Sequence, residues 1–546
     1  MTQPPAPAIH NPVLPGSHPD PSAVVVDGWV YVATSTFEWS PGVRIHRSRD
    51  LVRWDPLGGA LGADRLLRLE GTPDSGGVWA PSLTWADGLF HLVYSNVSTY
   101  AGGFTDCPNL LTTAADPIGP WSDPAPLHSR GFDPSLFHDG PDSWLLNLVH
   151  DWRPGHGGSA GLEVVRYDRT ARRLTGDPVR IQLPPRAGWI EGPNLLRRGP
   201  WYYLTTADGG TGWEHRVTVA RSRRLTGPYV TDPAGPLLTS LHDPDLPLQK
   251  AGHGSLFTMP DGRTWIAYLA ARPTGRRGPC ILGRETAIAP VEWTDDGWPR
   301  VPGGRPAITV PVGHDQVRPT TKDTTLTPAW PPAEDDDFDA PNLGPQWSTL
   351  RRHAAPDWLS LTERPSHLRI RGGRSPQSLI GPSLVARRVP APRSTFEADI
   401  EFRPLGFQHL AGVTLYYNTR NWHFLHITAD DTGQAVLHRA TCDRGVTTVD
   451  EDGGLPLPDS DTAPISLALD LQGPLLRTRV RLEGTWQEFG QPLDATVVSD
   501  EHAEDIDAGG LRTLGFTGAF FGLWVWDLTG SALPADFHRA RTLVTV

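Results

Sequence analysis

Three cysteines in 546 residues, Cys107, Cys280 and Cys442, are too few and too far apart for a disulfide scaffold or a zinc site. They read as buried or idle thiols in a reducing compartment. No stretch approaches the roughly 18 apolar residues of a membrane-spanning helix. Met1 to Pro12 lacks the basic start and apolar run of a secretory signal. The expectation is therefore a soluble, cytoplasmic protein without a membrane partner. Positive charge is also in short supply. Lys and Arg number 49 against 61 Asp and Glu, and the net charge of −12 excludes the basic face that nucleic-acid binding needs. Long amphipathic helical stripes are missing too.

Turn-formers are abundant. The 56 Pro and 57 Gly run through the whole chain, as expected for many short strands joined by turns rather than for a disordered tail. Five segments share one phrase. Asp20-Pro21-Ser22 leads into Asp27-Gly28-Trp29, and Trp79-Ala80-Pro81-Ser82 into Asp87-Gly88-Leu89. Asp133-Pro134-Ser135 leads into Asp139-Gly140, Glu191-Gly192-Pro193-Asn194 into Gly199-Pro200-Trp201, and His253-Gly254-Ser255 into Asp261-Gly262. Each reads as strand, tight hairpin turn, strand. The anchors Ser22, Ser82, Ser135, Asn194 and Ser255 are 60, 53, 59 and 61 residues apart. A four-stranded unit at that period is a propeller blade, and five give a five-bladed β-propeller over residues 10–315.

Residues 316–337 have linker composition, with Pro328 to Pro332 followed by Glu334 to Asp337. Beyond them the chain is again all-β. Phe396, Ala398, Ile400 and Phe402 alternate with Glu397, Asp399 and Glu401, as in half-buried antiparallel strands. Residues 338–546 read as one two-sheet β-sandwich.

The first strand of each propeller blade lines the central channel. Asp20, Trp79, Asp133, Glu191 and His253, at or beside the starts of those strands, should therefore meet at one mouth. One Asp before Pro is an ordinary turn residue. Three converging acids repel one another unless a task keeps them. Glycoside hydrolysis is such a task, because it needs one protonated and one ionised carboxyl group. A third acid can raise and orient the proton donor. Glu191 sits one position further from its anchor than the two Asp residues and has the longer side chain. Its neighbours Trp189, Ile190 and Pro193 are apolar, which favours a protonated form. It is the candidate general acid. Aromatic residues at such a mouth, drawn from the 21 Trp, would suit the apolar faces of a sugar.

These motifs resemble glycoside hydrolase family 43, and specifically its β-xylosidase branch, over nearly the whole chain. Asn11 to Ser22 is similar to the family's opening motif, whose Asp, here Asp20, is the general base. Gly131-Phe132-Asp133 resembles the motif of the pKa-modulating Asp, and Glu191-Gly192-Pro193 that of the acid. Ala33 to Trp39, with Phe37, and Gly77-Val78-Trp79 resemble sugar-pocket segments. Gly209 to His215, with Thr211, and Leu282-Gly283-Arg284 resemble further binding segments. The resemblance implies that Arg284 holds sugar hydroxyls and restrains the acids. It implies that Phe37 and Trp79 form apolar walls, with core packing the rival for Phe37. It also implies that His253 supports the floor, sometimes beside a calcium ion. Calcium prefers clustered oxygen ligands, which the sequence does not show, so no metal or other cofactor is expected.

The C-terminal part resembles the concanavalin-like, lectin-like sandwich of these enzymes. A bare propeller mouth is an open funnel, and Phe516-Thr517-Gly518-Ala519-Phe520 is the stretch expected to close it, through Phe516 or Phe520. Ordinary sandwich core is the rival reading. The chain departs from the family pattern at Ser40, where an aromatic is common, and at Asn194, where His is common. The implied function is exo-acting, inverting release of terminal xylose from short β-1,4-xylooligosaccharides, whose uptake would precede hydrolysis in a cytoplasmic setting. An α-L-arabinofuranosidase or dual activity stays open, and a non-catalytic carbohydrate-binding propeller fits the three acids less well. A homo-oligomer stays open.

Overall fold

Each of the five repeats forms a separate four-stranded antiparallel sheet whose strands follow chain order, with one short extra strand in blade 4. The computed structural model describes residues 8–102, 104–156, 158–184, 189–311, 334–450, 454–458, 464–506 and 510–545. The blades begin with Ser22–Val26, Gly77–Ala86, Ser135–Asp139, Ile190–Arg198 and Gln249–Thr258. Each of these first strands packs against the first strands of the blades on either side, which closes the ring. The hairpins form where the turn chemistry predicts. Asp27 and Gly28 (φ 49° and 78°) and Asp87 and Gly88 (51° and 75°) both adopt the left-handed backbone that a two-residue hairpin turn requires.

The anchor serines have a structural task. Backbone N–H groups of the next blade donate to their hydroxyls: Leu83 to Ser22, Leu136 to Ser82, and Ala23 to Ser255. The repeat thus marks positions where blades are tied together around the axis. Closure at the chain's start is separate. Ala8–His10 pairs with Thr309–Pro311, beyond blade 5, and the Asn11 side chain bonds to Ile288 and Ala307.

Among the described residues the second unit is two packed antiparallel sheets, one of nine strands and one of eight that a ninth from the propeller extends. Phe396, Ala398, Ile400 and Phe402 are buried between them, as their alternation predicts. The intervening acids are not bare surface: Glu397 pairs with Arg541, and Asp470 on the neighbouring strand with Arg479. Residues 316–333 of the expected linker lie outside the described residues. Its end, Glu334–Asp336, is an edge strand paired with the last strand of the sandwich, Pro534–Val544, rather than connector.

Trp39–Ser40, from blade 1, extends one sandwich sheet by pairing with Ser348–Leu350. Beside this seam, the buried Arg351 of the sandwich donates to Asp74 Oδ1 (2.7 Å) and to the Thr72 carbonyl (2.7 Å) of the propeller. A buried charge held by a partner in the other unit makes separation of the two units costly.

Candidate active site

In four blades the residue two before the anchor has a left-handed backbone: Asp20 (φ 56°), Asp133 (54°), Gly192 (56°) and His253 (44°). Asp tolerates this conformation better than most residues, and Gly best. In blade 4 the glycine takes that slot because a β-carbon there would come within 3.0–3.1 Å of the His253 ring. The acid is supplied from the preceding position, which is why Glu191 is offset. Trp79 occupies the corresponding position in blade 2. Register shifts at Trp79/Ser82, Glu191/Asn194 and Gly252/Ser255 mark bulges where these first strands re-aim their side chains. Asp20, Trp79, Asp133, Glu191 and His253 line one cavity of about 300 Å³, with Phe37, Thr211 and Arg284.

The three acids are held in different states. Burial works to raise the Asp20 carboxyl, but Arg284, His253 and Ser35 outweigh it and hold Asp20 below its ordinary value. Arg284 donates to Oδ1 (3.3 Å), Ser35 Oγ donates to Oδ2 (2.6 Å), and His253 Nδ1 stands 3.7 Å from Oδ1. Glu191 is raised to about 7, first by burial; the indole of Trp189, donating to Oε2 at 2.6 Å, opposes the rise, and Asp20 adds to it. Trp189 is thus both an apolar neighbour and a donor, a dual role its sequence position does not reveal. Asp133 is raised well above the ordinary range by burial and by its acidic neighbours. Two buried carboxyl groups in one electrostatic neighbourhood cannot both ionise cheaply, so Asp133 and Glu191 retain a proton between them through neutral pH. Asp133 Oδ2 also accepts from the Gly192 backbone N–H (2.9 Å), which fixes the peptide beside Glu191. One ionised acid, one protonated acid and a third that positions the second thus line the same cavity.

The sandwich completes the cavity through Arg512, Leu514 and Phe516. Phe516 packs edge-on to Trp79 (centroids 5.7 Å apart) and lies 6.1 Å from Phe37. The Arg284 guanidinium lies 4.9 Å from the Phe516 ring and donates to its carbonyl at 3.3 Å. Ser75 (φ 59°) ties this loop to the propeller: its hydroxyl donates to the Leu514 carbonyl and accepts from the Phe516 N–H, while its carbonyl accepts from the Trp79 indole. Gly283 and Gly518 make the approach possible, since a β-carbon on Gly283 would stand 2.7 Å from the Gly518 Cα.

Phe520 is a correction to the sequence reading. It opens the strand Phe520–Asp527, is buried, and stacks on Trp39 at 4.1 Å, away from the cavity. Strand alternation carries it into the core, whereas Phe516 precedes the strand and is free to point at the mouth. Ser40 and Asn194 do not line the cavity either. Ser40 contacts His353 of the sandwich (2.6 Å), and Asn194 lies on the far side of the blade 4 bulge, paired with Thr205. Ser35, Phe132 and His215 also belong to the site and fall within the segments Ala33 to Trp39, Gly131 to Asp133 and Gly209 to His215, whereas Tyr100 lies in none of them and reaches the site only through the closure of blades. His215 Nε2 and Arg284 Nε are buried without a hydrogen-bond partner among the described residues, so the cavity retains polar atoms suited to a hydroxyl-rich ligand.

Phe516→Ala is expected to lower kcat/KM at least about tenfold by removing an apolar wall, with little change in Tm. Phe520→Ala should cost about 3–5 kcal/mol of stability and leave the kinetics of the folded enzyme near wild type. Thermal unfolding measured beside steady-state kinetics separates the two.

Calcium finds a poor donor set here. Among the described residues no group of three or more His, Cys, Asp or Glu could hold a metal ion, and the charged oxygens nearest His253 are engaged by Arg284 and Ser35.

Residues 9–299 match the family description "Glycosyl hydrolases family 43", and residues 335–542 match "Beta xylosidase C-terminal Concanavalin A-like domain". The chain is 37% identical to a beta-xylosidase of Bacillus subtilis (strain 168), covering 98% of this chain and 99% of that protein. It is 38% identical to Xylosidase/arabinosidase 43B of Humicola insolens, covering 97% of each. A crystal structure of xylan beta-1,4-xylosidase from Bacillus halodurans C-125 superposes with a TM-score of 0.90 at 41% identity, over 98% of this chain and 99% of that one.

Proposed function

The chain belongs to family 43 of the glycosyl hydrolases, and on that premise we propose that it removes single xylose residues from the non-reducing ends of short β-1,4-xylooligosaccharides. The observation that carries the reading is the divided state of the acids in a cavity narrowed by the sandwich loop. An ionised Asp20 opposes a protonated Glu191, and Phe516 walls off the funnel along which a long chain would otherwise lie.

In this mechanism the terminal xylose enters against Trp79, Phe37 and Phe516, whose rings pack on its C–H faces. Arg284 and His253 are placed to meet its hydroxyls. Asp20 takes a proton from a water molecule as that water's oxygen bonds to the anomeric carbon. The bond from that carbon to the leaving oxygen breaks, and Glu191 delivers its proton there. Asp133 accepts from the Gly192 N–H and so keeps Glu191 in place, while burial and Asp20 keep Glu191 protonated. Arg284 keeps Asp20 ionised. The displacement is direct and inverts the anomeric centre, the general property of this family.

Product analysis tests the reading. Early proton NMR of a xylobiose digest should show α-xylose first, followed by mutarotation, and xylotriose should yield xylose and xylobiose before anything else. First-formed β-xylose would refute inversion, and release of internal fragments would refute exo action. Three relatives carry names that include arabinosidase or arabinofuranosidase, so the same assay with an α-L-arabinofuranosyl substrate measures the second activity directly. A kcat/KM for arabinose release above that for xylobiose would reverse the assignment.

A further inference from the structure

A second cavity, of about 430 Å³, lies between blade 1 and the sandwich. Its walls bring together Arg44 and His46 from the blade 1 strand Gly42–Ser48, His18 from the segment leading to Asp20, Arg387 and Arg388 from the end of the sandwich strand Ser383–Arg388, and Glu334. With Arg53 and Asp55, which also line it, four guanidinium groups share the cavity with two carboxylates. Among the described residues no carboxylate lies within ion-pair distance of Arg44 or Arg388, and Arg387 has only Glu334 Oε2, at 3.5 Å. Arg44 gives its terminal nitrogens to neutral acceptors, the Pro345 and Trp347 carbonyls and Ser348 Oγ, and Arg388 Nε donates to the Ser17 carbonyl.

Arg44 and Arg387 are deeply buried, 2% and 1% exposed, while Arg388 and Glu334 are half-buried. Four nitrogens in the cluster, Arg44 Nε, Arg387 Nε, Arg387 Nη2 and His46 Nδ1, have no hydrogen-bond partner among the described residues. Buried polar nitrogens are ordinarily paired, and an excess of buried positive charge is ordinarily neutralised. The cluster's surplus of two positive charges matches one dianion. Guanidinium forks are suited to the oxygens of phosphate. The cavity is much larger than inorganic phosphate needs, and Val13, Trp54 and Pro390 add apolar wall for an organic portion.

We propose that this cavity binds a phosphate-bearing small molecule that bridges the propeller and the sandwich through Arg44, Arg387 and Arg388. The site is separate from the catalytic pocket, and the inference does not depend on which sugar that pocket cleaves. Its occupant would bear on Asp20 indirectly. Arg388 grips the Ser17 carbonyl, and the Pro19 carbonyl accepts from the Ser35 N–H beside the base, so this segment joins the two cavities. In the absence of an anion, burial and the neighbouring arginines hold His46 near 3 and His18 well below its ordinary value, consistent with an uncompensated positive field.

The test uses the full chain with xylose present to occupy the catalytic pocket. Inorganic phosphate and ribose 5-phosphate are titrated at low-millimolar concentration, with sodium chloride holding ionic strength constant, by calorimetry and thermal unfolding. One saturable site is expected, with Tm rising as the logarithm of ligand concentration above Kd. Tighter binding of ribose 5-phosphate identifies a phosphorylated sugar as the ligand class, and equal binding identifies free phosphate. Arg388→Met should weaken binding at least tenfold, with Tm in the absence of ligand recorded to show that the fold is kept. Unchanged binding in that variant would place the anion elsewhere and overturn the proposal. A wild-type protein whose Tm responds only to ionic strength, with no saturable heat, overturns it without any variant.

Discussion

Asp20→Asn is expected to lower kcat roughly 10²–10⁴-fold on xylobiose and on an aryl xyloside alike. Both substrates need an activated water, and the leaving group cannot compensate for a missing base. The variant keeps the size and the left-handed backbone of Asp20, since Asn also tolerates that conformation. Arg284 then faces an amide instead of a carboxylate, so some loss of stability accompanies the loss of rate, and Tm should be recorded. Full activity in this variant would remove Asp20 from the mechanism. In the wild-type enzyme Asp20 must be ionised to act. Activity therefore falls as pH drops through its value, which lies below the ordinary carboxylate range because Arg284, His253 and Ser35 outweigh burial.

Glu191→Gln should separate the two substrates. Xylobiose has a poor leaving group that needs a proton, and its hydrolysis should drop by roughly 10²–10⁴-fold. An aryl xyloside whose phenolate leaves readily should retain much of its rate. Equal losses on both would sink the assignment of Glu191 as the acid. The pH profile adds a second readout. Glu191 must be protonated, so the wild-type rate on xylobiose falls as pH rises through about 7, where burial has raised that group. The alkaline limb should disappear from the aryl xyloside profile of Glu191→Gln, because Gln does not titrate there. A limb that persists would belong to Asp133 or to another group.

Much of this was legible in the residues. The five anchors announce the blades because each blade repeats the same strand and turn chemistry, and Asp-Gly turns need their left-handed backbone wherever they fall. The three acids followed from that phase, as did the offset of Glu191. What could not be read was the cause of the offset, since it depends on the His253 ring from the next blade filling the space over Gly192. Phe516 and Phe520 could not be told apart in sequence. They lie four positions apart, and only the position at which the strand begins decides which faces the core. Ser40 directly follows the pocket segment in the chain yet does not line the cavity, because its strand leaves blade 1 to join the sandwich.

Local chemistry determined the blades, the order of the strands and the identity of the acids, because hairpin turns and strand alternation act over a few residues. Tertiary structure alone decided the charge on each acid, the wall that closes the funnel and the arginine cluster at the seam. The reason is distance along the chain. Arg284 meets Asp20 across 264 residues, Ser75 meets Phe516 across 441, and the Arg388 side chain reaches the Ser17 carbonyl across 371. A carboxyl group's proton affinity depends on burial and on the charges around it, and no short-range pattern in the sequence records which of those neighbours arrive.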